Sequence, residues 1–114
     1  MPELPGEQFR IDLVAGVDPV LVILSGEFDL LAVPSLQETL EPLSSRRIEI
    51  DCADVRFLDS SGLGALVDQV RRSRLAGGHA AVIHVPPAML QVLEISGCLD
   101  FLTDPPDDPA PGNM

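Results

Sequence analysis

Along residues 8–14, QFRIDLV, Phe9, Ile11 and Leu13 alternate with Arg10 and Asp12. A period of two sends successive side chains to opposite faces, so this segment reads as a strand with one face covered. VLVILSG at 20–26 is almost wholly apolar and reads as a second, more deeply buried strand. Only AGVDP separates the two, which makes them an antiparallel hairpin.

The period then changes. Leu36, Leu40 and Leu43 recur at helical spacing behind Pro34, with Gln37, Glu38 and Glu41 outside. Pro42 predicts a kinked last turn or an early stop. RIEIDC at 47–52 returns to alternation, with Ile48, Ile50 and Cys52 on one side. The clearest helix spans 61–76. Leu63, Leu66, Val67 and Val70 make its apolar stripe, Asp68, Gln69, Arg71, Arg72 and Arg74 face water, and Gly77 and Gly78 end it. AAVIHV at 80–85 is another buried strand, in which His84 reads as a core histidine. Pro86 and Pro87 open a short helix carrying Leu90, Leu93 and Ile95, closed by Gly97, and LDFL at 99–102 allows a brief last strand.

Strand–helix–strand units imply parallel neighbours with right-handed crossovers. The expected fold is therefore α/β: a mixed sheet of four to five strands, an N-terminal antiparallel hairpin plus parallel strands, with helices packed on it. From Asp104 the chain reads DPPDDPAPGNM, with four prolines, three aspartates and no large aliphatic residue. Such a segment cannot bury enough apolar surface to offset its ordering entropy. The expected organisation is one domain over 1–104 and a disordered tail over 105–114.

Composition narrows the functional classes. With no Trp or Tyr and only four Phe, the core must be aliphatic. The net charge is −11 and all seven basic residues are Arg, which disfavours nucleic acid and anionic lipid and suits an electropositive protein partner. Taken alone, the acidity need do no more than keep the domain soluble. Cys52 and Cys98 form neither a disulfide framework nor a zinc site, and read as small buried hydrophobes in a reducing compartment. The start, MPELPGEQFR, lacks the basic and apolar runs of a signal peptide. No stretch reaches the ~18 apolar residues of a membrane helix. A cytoplasmic protein without membrane insertion is expected.

Two polar segments follow strands: SGEFD at 25–29 and FLDSSGLG at 57–64. Sites in open α/β sheets gather at the carboxyl ends of strands, which would put Asp29 and Asp59 on one rim. By itself DSSG reads as a helix cap. A serine nucleophile would need a base, and the sequence offers only His79, after a Gly-Gly turn, and His84, neither visibly placed; the stretch is not G-x-S-x-G. Gly62 and Gly64 match neither the phosphate-loop nor the dinucleotide fingerprint. Two carboxylates do not make a metal site. No catalytic residue, no metal and no cofactor is expected.

VRFLDSSGLGALV, together with SGEFD, the strand–helix order and Ser96–Gly97, resembles the STAS domain family over about residues 8–103, and within it the stand-alone anti-sigma factor antagonists. The resemblance implies a STAS-like fold and a non-enzymatic role in partner switching. Such proteins bind an anti-sigma factor that is also a serine kinase, and so free the sigma factor. Phosphorylation of the serine directly after the aspartate, here Ser60, breaks the contact, and a protein phosphatase restores it. The implied contact surface is Asp29, Asp59, Ser60, Ser61, Gly62 and Leu63, with Ser61 as the neighbouring cap. The resemblance also raises a homodimer as a further assembly. Many relatives continue into a C-terminal helix, which this sequence replaces with the Pro/Asp tail. The same domain also serves as a regulatory piece of anion transporters or as a small subunit of membrane lipid-transport complexes. A serine hydrolase is the remote alternative.

Overall fold

The structure, a computed structural model, describes residues 8–14, 16 and 18–104. Strand β1 (Phe9–Val14) pairs antiparallel with β2 (Val20–Phe28). A 3-10 turn, Leu30–Ala32, leads into α1 (Val33–Leu40), and a second, Glu41–Leu43, ends it at Pro42. Then come β3 (Arg47–Leu58), α2 (Ser60–Leu75), β4 (His79–Ile83), α3 (Pro87–Ser96) and α4 (Leu99–Thr103). The sheet order is β1-β2-β3-β4, with β2, β3 and β4 parallel, giving the mixed sheet that the patterning predicts.

Alternate residues of β2 and β3 face the helices. Val22, Leu24 and Phe28 join Ile48, Ile50 and Cys52, and Leu36, Leu40, Leu66, Val70 and Leu93 close over them. Nearly all these side chains are aliphatic, so the core holds by dispersion and water exclusion rather than by aromatic stacking. The ring contact in it is Phe9 against Phe28, centroids 5.6 Å apart. Burial pushes the Cys52 thiol up to about 12, and the Asp51 charge adds to the rise. That thiol is inert packing, as expected, whereas Cys98 is only partly covered.

The structure corrects several expectations. LDFL is helical. Leu99 and Leu102 are three apart, which suits one helical face as well as alternation, and the Thr103 hydroxyl donates back to the Leu99 carbonyl at 2.7 Å. The sheet is therefore four-stranded, and a short C-terminal helix is present after all. β4 stops at Ile83, and His84, at φ 56, turns the chain away with its side chain 65% exposed; it is no core histidine. Gln69 lies inside, because the α2 stripe is wide enough to reach it and Ser44 and Ser73 satisfy its amide. Ile95 is 80% exposed, the inward positions of α3 being Met89 and Leu93. Both central strands outrun their predicted ends, β2 by two residues and β3 by six, with register shifts between them. The expected tail, 105–114, lies outside the described residues. Among the described residues no helix is long and apolar enough to cross a membrane.

Candidate functional site

The extra length of the two central strands builds the site. Phe28 and Leu58 are register partners at their carboxyl ends, so Asp29 and Asp59 leave the sheet side by side, as the rim argument predicts. The Asp59 N–H donates to the Phe28 carbonyl at 3.3 Å and ties the two exits together.

Each aspartate caps the turn or helix after it. Asp29 has extended backbone, and its carboxylate accepts from the Leu31 N–H at 3.0 Å, starting the 3-10 turn. Asp59 is extended as well, and its carboxylate accepts from the Gly62 N–H at 3.0 Å, starting α2. A short acidic side chain is suited to this, since it satisfies an N–H that the first turn leaves open and complements the helix dipole. Here the cap expected at Ser61 is corrected. Asp59 caps, Ser60 is the first helical residue, and Ser61 is already inside the first turn.

Gly62 is buried, and its smallness is needed. A methyl group there would collide with the Phe28 carbonyl oxygen and lie 2.9 Å from Leu58 Cδ1. The helix start thus sits directly on the end of β2. Leu63 is half-buried and packs on the core. Ser60 is exposed and Ser61 half-buried, and among the described residues neither hydroxyl makes a side-chain hydrogen bond. The result is an exposed hydroxyl at a helix N-terminus, directly after the Asp59 cap whose carboxylate is already engaged with backbone.

Neither histidine reaches it. His79 is the register partner of Arg47 at the far end of β3, roughly 35 Å from Leu58 at a strand's rise per residue. The His84 Nδ1 lies 3.2 Å from Asp51, roughly 20 Å short on the same rise. A Ser60 nucleophile therefore has no histidine base. Among the described residues no group of three or more His, Cys, Asp or Glu is placed to hold a metal ion.

The sequence reading missed three apolar residues beside the rim: Leu30 is 67% exposed, Leu31 64% and Phe57 51%. A signal existed for the leucines. Counting back from Leu40 and Leu36 by fours reaches Ala32, which is buried, so Leu30 and Leu31 fall outside the inward phase.

Comparison with known proteins agrees with this architecture. The family described as Mlab, STAS domain matches residues 11–103, and the chain belongs to the STAS domain family. Anti-sigma-B factor antagonist of Bacillus subtilis (strain 168) is 27% identical over 95 residues, covering 82% of this chain and 87% of that protein. The protein of the same name from Staphylococcus aureus (strain NCTC 8325 / PS 47) is 29% identical over 84 residues, covering 71% and 78%. Among solved structures, an anti-sigma factor antagonist from Mycobacterium paratuberculosis superposes with a TM-score of 0.70 at 22% identity, over 90% of this chain and 88% of that one. The Bacillus cell fate determinant SpoIIAA in its phosphorylated form gives 0.64 at 22% identity, over 89% and 93%.

Proposed function

We propose that this chain is a cytoplasmic anti-sigma factor antagonist without enzymatic activity. Unphosphorylated, it binds an anti-sigma factor with serine kinase activity and releases the sigma factor. Phosphorylation of Ser60 ends that contact, and a protein phosphatase restores it. The observation that carries this reading is the Ser60 hydroxyl, exposed, uncommitted and fixed at the start of α2 by the Asp59 cap. Relatives named anti-sigma-B factor antagonist support the assignment.

Charge explains how a phosphate would act. It adds about −1.5 to −2 units at a helix N-terminus that favours anions, next to Asp59 and Asp29 that oppose them. These effects are each on the order of 1 kcal/mol and opposite in sign, so the fold should hold. A partner docked around a hydroxyl would instead have to accept a bulky dianion and strip it of water, a cost of roughly several kcal/mol where the contact is not built to pair it.

The test is titration calorimetry against each anti-sigma factor kinase of the source organism. The unmodified chain should bind. Phosphorylation, confirmed by intact mass, should weaken binding at least tenfold, about 1.4 kcal/mol. Ser60→Ala should bind and not be released by ATP. Equal affinity for both forms would overturn the switch. Co-purification with a transporter ATPase in place of a kinase would favour the transport-subunit role.

A further inference from the structure

Of the seven exposed large hydrophobics among the described residues, Leu30, Leu31 and Phe57 adjoin the Ser60 rim. Their placement follows from the sheet. β3 lies between β2 and β4, so its carboxyl end, where Ser60 begins, has the Leu30–Ala32 turn on one side. On the other side β4 stops opposite Asp51, and α3 lies against the last part of β3 in its place.

The two sides have complementary shapes. Leu30 and Leu31 form a knob, held by the Asp29 cap, by the Ala32 N–H on the Asp29 carbonyl at 3.0 Å, and by Ala32 itself, which is fully buried. The opposite side is a socket. A pocket of about 130 Å³ opens between Phe57, Leu58, Ala88, Met89 and Val92, lined mostly by apolar side chains and large enough for one aliphatic side chain. It begins at Leu58, which also touches the Gly62 position.

We propose that knob and socket are the two apolar anchors of one docking surface, with Ser60 between them, and that this holds on the reading of the chain as an anti-sigma factor antagonist. The occupant is the anti-sigma factor kinase. It would offer an apolar groove for Leu30 and Leu31, one aliphatic side chain for the socket, and basic groups facing Asp29 and Asp59. A second copy of this chain fits poorly, because it would bring those carboxylates against their own kind on a chain of net charge −11. The arrangement also accounts for the leverage of a phosphate. A charge between the two apolar anchors must be stripped of water when both are engaged, whereas a charge outside the contact need not be.

Calorimetry with the anti-sigma factor kinase that phosphorylates Ser60 tests this. Leu30→Ser/Leu31→Ser should weaken binding by at least about twentyfold, and Ala88→Arg, which closes the socket from an exposed position, by at least about tenfold. Leu75→Ser, at an 84% exposed leucine at the far end of α2, is the control and should stay within about twofold. Circular dichroism should be unchanged in all three. If phosphorylation still abolishes binding but the knob and socket variants bind like the parent, the anchors are wrong and the switch stands. If no anti-sigma factor kinase binds the parent, the functional reading fails and the named occupant with it. A parent dimer in sedimentation that Leu30→Ser/Leu31→Ser abolishes would overturn the choice of occupant.

Discussion

Helix α2 carries hydroxyls at both ends, and they have opposite fates. Near its carboxyl end Gln69 and Ser73 are 3% and 0% exposed, and the Gln69 amide donates to Ser44 Oγ at 3.1 Å and to Ser73 Oγ at 3.2 Å. Those bonds join α2 to the loop after α1. At the amino end, among the described residues, Ser60 and Ser61 make no side-chain hydrogen bond, and the structural task falls to Asp59. A buried hydroxyl is explained by the partner it satisfies. An exposed one beside a cap that works without it is not needed to hold the helix start, which is what the proposed modification of Ser60 requires.

Five substitutions would break or sharpen this contrast. Gly62→Ala should cost about 3 kcal/mol in urea denaturation, because the new methyl meets backbone that cannot yield. Gly64→Ala, with open space around it, should gain up to about 1 kcal/mol by helix propensity. A Gly62→Ala protein that melts like the parent would show the rim to be slack. Next in size, Gln69→Ala should cost about 2 kcal/mol, since it opens a small cavity and leaves the Ser44 and Ser73 hydroxyls short of a partner. At the other end Asp59→Ala should cost about 1 kcal/mol, the usual worth of an N-cap. Ser61→Ala should change stability by less than about 0.5 kcal/mol. If the last two came out reversed, the cap would belong to Ser61.

The same contrast shows what the sequence made legible. Period-two and period-3.6 patterning identified four strands and three helices, because long apolar stripes outweigh local exceptions. The rim was legible too, since parallel strands of similar length bring Asp29 and Asp59 together. Gln69 was not, because a side chain inside the stripe looks solvated until its partner appears, and Ser44 is 25 residues away. The cap was misread because Asp59 and Ser61 are both good caps. The choice between them is set by where β3 ends, six residues later than its alternation indicates, and a pair of register shifts lies within that extension. LDFL fits both periods at four residues and settles only when Thr103 closes the turn.

The contact of Gly62 with the end of β2 has a kinetic consequence. Helix starts commonly fray, but this one is held by the sheet, by the Asp59 cap and by the Asp59–Phe28 hydrogen bond. The surface around Ser60 is therefore formed before any partner arrives. Association should not wait on a rearrangement, so its rate should rise linearly with partner concentration up to the encounter limit, with no plateau from a slow opening step. Amide exchange at Gly62 and Leu63 should be as slow in the free protein as in the complex. On the proposed switch, the unmodified and phosphorylated forms would then differ in how long an encounter lasts, while the conformation that meets the partner stays the same.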